Sequence, residues 1–528
     1  MRLINTALLK LAKRAETYER RHLIDSFVDV GPLFALLSNP DNQILFGRRG
    51  TGKTHVLAYL SNEITNKGSV AVQLDMRTIG STGGIYSDNR ISISERATRL
   101  LVDTLAAIHD RVLGEAIEHA EEYDLSKLGP LLDRFIEAAT EVVVEGQVRF
   151  EESAGKTQSA TKRAKAGISV QSALLGIAAE TSEQCSNQIS EEQRSSREGK
   201  ERLRVHFGSV GREFERVVHA LPNSQLWIIL DEWSEIPLDL QPYLADLLRR
   251  TVLPIRGISV KIAAIEQRCR FRIPDTDIGH IGIEIGADAA ASINLDEFLV
   301  FENNPELAKH FFRELLYKHV AAIVRESSEF DMPSSSSQFI NETFTQRSAF
   351  EEFVRAAEGV PRDAINIIGI AAQKALDNQI AVPDIRNAAR TWYTRAKQQA
   401  VGTKSRAQDL LNWIIDEVIQ HRQAKAFLLA SDVQDELIDF LYDARVLHII
   451  KQGVSAQDIP GKRFNGYSLD YGCYVDLINT VRAPKGLFEA ETDAGAEFIE
   501  VPQTDFRSIR RAILDIALFY SKSKSSLS

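Results

Sequence analysis

A glycine-rich segment between an apolar run and a helical run constrains this chain more than any other feature. The residues Gly47-Arg-Arg-Gly-Thr-Gly-Lys-Thr54 fit the pattern G-x-x-x-x-G-K-[ST]. The apolar run 43–46 precedes them, and a helical run begins at His55. Strand, glycine-rich loop and helix in this order are the context that a phosphate-binding P-loop requires. The sequence therefore predicts a domain that binds a nucleoside triphosphate.

The predicted P-loop contains each group needed to hold phosphates and Mg²⁺. Glycine takes backbone angles that are denied to other residues, so the loop amides can point inward at a phosphate chain. Lys53 is expected to reach the β- and γ-phosphates, and the Thr54 hydroxyl to hold Mg²⁺. We predict nucleotide contacts for the loop and the residue after it, namely Gly47, Arg48, Arg49, Gly50, Thr51, Gly52, Lys53, Thr54 and His55.

A second apolar run, 226–230, ends in two acidic residues. Such a run is typical of a central strand in a parallel sheet. Asp231, at the carboxyl end of that strand, can order the Mg²⁺ shell near Thr54. Glu232 is then in position to polarise the attacking water as a general base. The pair therefore predicts hydrolysis of the bound nucleotide as well as binding.

A third run, 260–267, reads as a further core strand with a polar end. A polar residue there would lie between Mg²⁺ and the γ-phosphate. Gln267 or Glu266 is the candidate. Farther along the chain, Gly359-Val-Pro-Arg362 ends one predicted helix and begins the next, with Pro361 at its start.

Composition limits the classes of partner that need to be considered. The chain of 528 residues carries a formal net charge of −10, so it has no global attraction for nucleic acid or for an anionic membrane. No apolar stretch is long enough to span a bilayer, and the N-terminus lacks the features of a signal peptide. We therefore expect a cytoplasmic protein without a membrane partner.

Changes in pattern along the chain predict several domains. We expect a P-loop domain over 1–300, with a flexible arm inserted near 146–200 that includes a β-hairpin at 167–180. The arm either is a linker or touches DNA or a partner through basic residues, namely Lys156, Lys162, Arg163 and Lys165. A helical lid is predicted over 301–400, a winged-helix domain over 401–485, and a tail with a terminal helix over 486–528.

The predicted winged-helix domain has an unusual charge. Its expected order is helix 406–421, short helix 423–430, helix 432–444, strand 446–451, wing 452–463 and strand 464–470. The third helix carries five carboxylates and no Lys or Arg. A phosphate backbone would repel it, so DNA contact through that helix is not expected. Either the wing binds DNA, through Lys451, Lys462 and Arg463, or the domain binds protein.

Together these features resemble the AAA+ ATPases of the origin-recognition/Cdc6 group and their relatives, the STAND signalling ATPases. The residues that carry the resemblance are the P-loop, Asp231-Glu232, Gln267, the Gly-x-Pro-Arg at 359–362 and the winged-helix pattern. The resemblance implies an α/β P-loop NTPase domain with a parallel sheet, followed by an α-helical lid and a C-terminal winged-helix domain. It implies ATP and Mg²⁺ as ligands and a homo-oligomer or a partner protein.

The resemblance also implies roles for individual residues. Gln267 is similar to sensor 1, and Arg362 to sensor 2, which reaches the γ-phosphate from the lid. An arginine finger would act on a neighbouring subunit's nucleotide; the candidates are Arg249, Arg250 and Arg272, and the sequence does not choose between them. Bacterial relatives imply a DNA-related or defence system.

Three functions remain open at this point. The first is an ATP-hydrolysing switch that couples its nucleotide state to assembly with a protein partner. The second is an initiator- or loader-like ATPase that binds duplex DNA through the wing or the basic arm. The third is a scaffold that binds ATP with negligible turnover, against which Glu232 argues. The acidic charge balance and the acidic helix favour the first function over a sequence-specific DNA reader, whereas the family resemblance favours the second.

Overall fold

The computed structural model describes most of the chain. The described residues are 1–11, 20–29, 31–79, 84, 86–140, 142–150, 195–203, 205–275, 279–289, 291–298, 304–327, 331–422, 424, 426–455, 461–478, 489–492, 495–498 and 512–525. The hairpin predicted at 167–180 and the basic residues of the predicted arm lie outside them.

The strands of these residues are, in chain order, β1 Gln43–Phe46, β2 Val70–Asp75, β3 Val142–Phe150, β4 Ser195–Leu203, β5 Leu226–Asp231, β6 Ile258–Ala264, β7 Arg272–Asp275, β8 Gly279–Gly282, β9 Ala291–Asn294, β10 Ala426–Ala430, β11 Leu447–Ser455, β12 Arg463–Leu469, β13 Glu489–Thr492 and β14 Gly495–Phe498.

The helices of the first 300 residues are α1 Leu3–Leu9, α2 Arg20–Asp25, α3 Leu33–Leu37, α4 Lys53–Asn66, α5 Ile93–Glu118, α6 Leu125–Ala139, α7 Phe207–Ala220, α8 Gln241–Thr251 and α9 Leu295–Phe298. Those that follow are α10 Pro305–Ser327, α11 Ser336–Thr343, α12 Arg347–Ala356, α13 Pro361–Ala375, α14 Val382–Trp392, α15 Gln398–Gly402, α16 Ser405–Ile414, α17 Glu436–Asp443, α18 Tyr471–Ile478 and α19 Ile516–Ser525. Two π-helical segments, Tyr393–Lys397 and Ile415–His421, continue α14 and α16.

A five-stranded parallel sheet in the order β2-β5-β6-β1-β9 forms the core of the first domain. Every residue of β1, β5 and β6 is buried, which explains why these strands are predominantly apolar. Successive side chains of β1 face opposite sides of the sheet. Leu45 packs on the side of α4 and the lid helices, whereas Ile44 and Phe46 pack with α5 to α8. The predicted fold class is confirmed.

The predicted insertion leaves the domain as a two-stranded ribbon. β3 and β4 pair in antiparallel register from Val142↔Leu203 to Phe150↔Ser195. The ribbon therefore begins at Val142, before the predicted bound at 146. The two ends of the insertion lie side by side, so a long insertion can be accommodated without separating α6 from α7.

The lid and the winged-helix domain follow the sheet. Helices α10 to α14 share one apolar core with α1 and α4. β10, β12 and β11 form a three-stranded antiparallel sheet, with α16 and α17 in the same core. The short helix predicted at 423–430 is wrong, because residues Ala426–Ala430 form β10 and pair with β12. A short apolar run fits a strand or a buried helix equally well, and only the pairing partner decides between them.

Among the described residues, no helix combines the length and the apolar composition needed to cross a lipid bilayer. The boundaries predicted between the four domains stay a prediction.

Candidate functional site

The P-loop connects β1 to α4 with a backbone that only glycine adopts easily. Gly50 and Gly52 have φ values of 92° and 96°. A Cβ atom on Gly47 would lie 2.6 Å from the Thr51 hydroxyl. The loop is therefore a tight cradle at the N-terminus of a long helix, where backbone amides and the helix dipole favour an anion. This geometry fits the phosphate chain of ATP.

Lys53, the first residue of α4, is folded back over this cradle. Its Nζ atom donates to the carbonyl oxygens of Gly47 at 2.6 Å and Arg48 at 3.1 Å. Burial lowers the pKa of Lys53, and the carboxylates of Glu232 and Asp231 oppose that shift. The ammonium group thus lies close to both acidic residues, and phosphate oxygens could take over from its two carbonyl partners.

Thr54 and Asp231 meet across the sheet edge. The Thr54 hydroxyl donates to the Asp231 carboxylate, and the buried carboxylate keeps a raised pKa because burial outweighs this hydrogen bond and Lys53. A hydroxyl and a carboxylate are the oxygen ligands that Mg²⁺ prefers. The two side chains therefore fit a shared Mg²⁺ ion, with Asp231 at the carboxyl end of β5.

Glu232 has a strained backbone that directs its side chain toward the same edge. Its φ of 56° and ψ of 38° lie in the left-handed region, and its N–H donates to Asp231 Oδ1 at 2.8 Å. Burial raises the pKa of Glu232, while Lys53 counteracts the rise. A carboxylate with a raised pKa is the stronger base, which suits removal of a proton from water.

Arg362 reaches the P-loop from the lid. It is the second residue of α13, and its N–H donates to the Gly50 carbonyl at 3.1 Å. A Cβ on Gly50 would lie 2.7 Å from Arg362 Cβ, so the two backbones are in direct contact. The Arg362 charge also lowers the pKa of Lys53. The structure thus brings Arg362 to the P-loop backbone at Gly50 and within electrostatic range of Lys53.

Arg48 is turned away from the cradle and into the protein. Its backbone N–H and its Nε both donate to the Asp296 carboxylate, each at 2.8 Å. Burial alone would lower the pKa of Arg48, but Asp296 outweighs it and raises the pKa. The Arg48 guanidinium lies 4.6 Å from the ring centroid of Tyr442, whose hydroxyl donates to Asp296 at 3.2 Å. Arg48 is therefore part of a buried ion pair.

The winged-helix domain contacts the P-loop directly. Arg48 Nη1 donates to the Leu447 carbonyl at 3.2 Å and to His448 Nδ1 at 3.0 Å. Burial lowers the pKa of His448 to about 4, which keeps the ring neutral and Nδ1 able to accept. Arg445 Nη1 donates to the Arg49 carbonyl at 3.4 Å. The start of β11 thus covers the outer side of the nucleotide cradle.

The acidic helix α17 faces the P-loop domain. Asp443, its last residue, lies 3.4 Å from the Arg268 guanidinium. Burial raises the pKa of Asp443 to about 6, against the opposing charges of Arg268, Arg49, Arg48 and Lys53. These basic neighbours show that the carboxyl end of α17 points toward the P-loop.

Two other predicted residues have different surroundings. His55 Nε2 donates to the Leu23 carbonyl at 2.5 Å, and its ring lies edge-on to Phe27. Its side chain therefore faces α2 rather than the cradle. Gln267 lies in the 3-10 turn after β6, and among the described residues its buried Oε1 has no hydrogen-bond partner. Glu266 accepts from Asn294 Nδ2 at 3.1 Å.

A family comparison agrees with this P-loop geometry. Residues 11–73 match the ORC-CDC6-like family model. The match runs through β1, the P-loop, α4 and most of β2. The resemblance to ORC/Cdc6-like AAA+ ATPases is thereby confirmed for this segment. The suggested kinship with STAND ATPases stays a prediction.

Comparisons with solved structures and with curated sequences are less informative than the family comparison. The chain is similar to a structure of the Aeropyrum pernix ORC1 protein in complex with DNA, with 12% identity, 90% of this chain and 96% of that chain covered, and a TM-score of 0.28. It is also similar to Drosophila ORC bound to DNA, with 10% identity, coverages of 89% and 94%, and a TM-score of 0.29. Such low scores mean that the whole chains do not superpose closely. No curated protein matches the sequence.

The three candidates for an arginine finger lie outside residues 11–73, the ORC/Cdc6-like segment. Each of them forms an ion pair with a carboxylate of its own chain. Arg249 and Arg250 contact Asp246 at 2.7 and 2.6 Å, and Arg272 contacts Glu284 at 2.8 Å. Arg272 lies on β7, whereas the other two end α8. The geometry does not choose between them, and a role in a neighbouring site would require each to leave its present partner.

Sequence reasoning missed the residues that surround the ORC/Cdc6-like P-loop from other domains. Asp296 follows a short strand, and Asp363 directly follows the recognised Arg362, so both had a local signal. Arg445 and His448 had none, because their meaning depends on a contact with residues some four hundred positions earlier.

Proposed function

We propose that this protein is an ATP-binding and ATP-hydrolysing AAA+ switch, in which the winged-helix domain reports the nucleotide state to a protein partner. The observation that carries the proposal is the direct contact of Leu447, His448 and Arg445 with the P-loop residues Arg48 and Arg49. Nucleotide binding cannot alter the loop without affecting these contacts. A domain placed in this way supports a switch better than an independent ATPase.

In this proposal the P-loop and the end of β5 bind the nucleotide. The loop amides and Lys53 hold the phosphates, and Thr54 with Asp231 holds Mg²⁺. When bound, Mg²⁺ neutralises phosphate charge and orients the γ-phosphate. Lys53 would exchange its present carbonyl partners for phosphate oxygens, which are stronger acceptors for an ammonium donor.

Three further residues act on the γ-phosphate side. Glu232 accepts a proton from the attacking water, and its raised pKa supports this role. Arg362 stabilises negative charge from the lid, supported by its position beside Lys53. Gln267 has a buried Oε1 that is available to orient the water, with no partner in the described part of the chain.

Two variants test binding and hydrolysis separately. Lys53→Ala is expected to abolish measurable ATP binding and turnover, because the phosphates lose their cation. Glu232→Gln is expected to retain ATP binding and to slow hydrolysis by about 10²–10⁴-fold, the usual contribution of a general base. Fluorescent ATP titration and phosphate release under single-turnover conditions measure the two effects.

Lys67→Ala is the matched control, since Lys67 is an exposed lysine at the other end of α4. It should leave both measurements unchanged. Wild-type turnover in Glu232→Gln would remove Glu232 as the base. Retained ATP affinity in Lys53→Ala would contradict the P-loop assignment.

A second candidate function is binding of duplex DNA by the wing. Lys451, Lys462 and Arg463 are exposed on the β11–β12 hairpin. Since α17 faces the ATPase domain, its carboxylates are a weaker obstacle to DNA at the wing than the sequence alone implies. An initiator- or loader-like ATPase of this kind would grip the phosphate backbone rather than read bases.

Salt dependence tests this candidate. Fluorescence anisotropy with duplex DNA should show affinity that falls with salt, and a Lys451→Ala/Lys462→Ala/Arg463→Ala variant should flatten the logarithmic slope by roughly two to three units. No binding at low salt, or an unchanged slope, would exclude the wing. Light scattering with and without ATP and DNA would in parallel measure assembly, which a shared site requires. The predicted DNA-related or defence setting stays a prediction.

A further inference from the structure

A fully buried carboxylate lies next to the proposed sensor arginine. Asp363 has no exposed side-chain surface, and it directly follows Arg362 at the start of α13. Lys397 Nζ lies 2.8 Å from its carboxylate, and Arg445 Nε lies 3.2 Å from both oxygens. Trp392 Nε1 donates to Oδ1 at 3.0 Å. Burial would raise the pKa of Asp363, but the two cations hold it well below the usual range.

The two cations come from later parts of the chain. Lys397 ends the π-helical segment Tyr393–Lys397 and also pairs with the buried Asp470, which follows β12. Segments of π-helix change the direction of the side chains that follow, and they are frequent at functional positions. Arg445 follows α17 and has a φ of 59°, a strained conformation for a residue with a side chain. Both unusual backbones serve to bring a cation to Asp363.

The same group is attached to the P-loop on two sides. Arg362 N–H donates to the Gly50 carbonyl, and Arg445 Nη1 donates to the Arg49 carbonyl. The first turn of α13 is therefore held between the P-loop backbone and the winged-helix domain. Displacement of Arg445 would release one side of this turn and leave Asp363 with half of its charge compensation.

We propose that Asp363 and Arg445 are positioning residues, which hold Arg362 in register with the P-loop only while the winged-helix domain is docked. This inference rests on the proposed function and adds a route by which a partner bound to the winged-helix domain controls hydrolysis. Arg445 positions Arg362 and does not act on the nucleotide, and it also contacts the Arg49 carbonyl, so most of its effect on turnover must disappear when Arg362 is absent.

A second ion pair between the lid and the winged-helix domain provides a matched control for the effect of domain docking alone. Arg390 on α14 and Asp476 on α18 form another lid-to-winged-helix ion pair, at 2.7 Å, and neither contacts the P-loop in the described part of the chain. If docking alone mattered, Arg390→Ala and Arg445→Gln would have equal effects. If position at the P-loop matters, only Arg445→Gln will change the nucleotide site.

A double-mutant cycle tests the inference. Arg445→Gln should lower ATP turnover at saturating ATP by about tenfold, in the range expected for a misplaced active-site group, with ATP affinity nearly unchanged. In an Arg362→Ala background the same change should have a much smaller effect, because coupled residues are not additive. Arg445→Lys, which keeps the charge, should restore part of the rate. Arg390→Ala should stay within about twofold of wild type.

Multiplicative losses in the double variant would overturn the inference, and so would full turnover in Arg445→Gln. Absence of turnover in the wild-type protein would instead contradict hydrolysis itself. The same four proteins of the cycle are therefore also compared by the dissociation rate of a fluorescent, non-hydrolysable ATP analogue. Independent effects of Arg445 and Arg362 on that rate would overturn the coupling whether or not the protein hydrolyses ATP.

Discussion

At the scale of single residues, the P-loop arginine Arg48 shows how a nucleotide loop can be fixed by charge. Its side chain is 4% exposed and that of its partner Asp296 is 9% exposed. A buried ion pair contributes little compared with well-packed apolar residues, but removing one partner leaves an uncompensated buried charge. Removing either partner is therefore strongly destabilising, although the intact pair adds little net stability.

This pair gives a stability prediction. Asp296→Ala should lower the free energy of unfolding by about 3–5 kcal/mol, because Arg48 loses both its charge partner and the acceptor of its backbone N–H. Asp377→Ala is the control, because this exposed carboxylate pairs only with the N-terminal ammonium among the described residues, and its loss should be barely measurable. Denaturant unfolding followed by fluorescence measures both. Equal midpoints for the two variants would contradict the role given to Asp296.

The residue scale also shows what sequence can and cannot predict. Lys53, Thr54, Asp231 and Glu232 lie together in the structure. The sequence predicts this, because the P-loop and the acidic strand end are both local patterns, and the carboxyl ends of parallel strands lie at the same edge of a sheet. Arg48 belongs to the same motif, yet its side chain faces Asp296. Nothing local distinguishes it, since that choice depends on groups contributed by distant segments.

At the scale of elements, α17 combines the fold of a recognition helix with the wrong charge for DNA. Asp435 caps its N-terminus by accepting from Leu437 and Ile438 N–H, and Tyr520 on α19 donates to the same carboxylate at 2.6 Å. Its carboxyl end lies at Arg268. Asp435 therefore contributes to capping and Asp443 to docking on the P-loop domain, which explains an acidic composition that the sequence alone indicates only as repulsion from DNA.

The pKa values of α17 predict a dependence of stability on pH. Burial raises the pKa of Asp439 to about 6, and the neighbouring Asp443, Asp435 and Glu436 add to the rise. The folded state therefore binds this proton more tightly than the unfolded state, and the free energy of unfolding falls as pH rises through about 4 to 6. Asp439→Asn should raise the Tm by roughly 1–2 °C at pH 7.5 and give no gain at pH 4.

Asp432→Asn is the control, since Asp432 is exposed in the loop before α17. Differential scanning calorimetry at the two pH values compares the variants. A gain for Asp439→Asn that is the same at both pH values would show that the carboxylate charge is not the cause.

The winged-helix sheet shows a limit of reading elements from sequence. The sequence predicts β11 and β12 as strands around a wing, but it predicts a short helix where β10 lies. Its residues Ala426–Ala430 have neither the alternation of an exposed strand nor the length of a helix. Pairing with β12 buries them and satisfies their backbone groups, and that partner lies more than thirty positions away.

At the scale of the whole molecule, three parts of the chain meet at one loop. The sheet contributes the P-loop, the lid contributes Arg362, and the winged-helix domain contributes Arg445 and His448. A bound triphosphate would add several negative charges to a site that already faces the carboxylate of Asp443. Repulsion of this kind weakens the docking of α17. The docking of the winged-helix domain therefore depends on whether a nucleotide is bound.

Hydrogen exchange tests this expectation. Addition of ATP and Mg²⁺ should slow exchange in the P-loop and accelerate it by several-fold in α17 and at the start of β11, because local opening becomes easier. Helix α6, far along the chain from these contacts, should be unchanged, and Lys53→Ala should show neither effect. Changes confined to residues 43–66 would mean that the winged-helix domain does not respond to nucleotide.

The contact between Arg48 and Leu447 has a consequence for how the protein is made. These partners are 399 residues apart, so at about 5–20 residues per second the second emerges roughly 20–80 seconds after the first. During that interval Arg48 still lacks its winged-helix partners Leu447 and His448. Assembly of the P-loop with its winged-helix contacts is therefore a late event of biosynthesis, completed only after β11 has been translated, and the ribosome-bound chain is the stage at which misfolding or chaperone capture should concentrate.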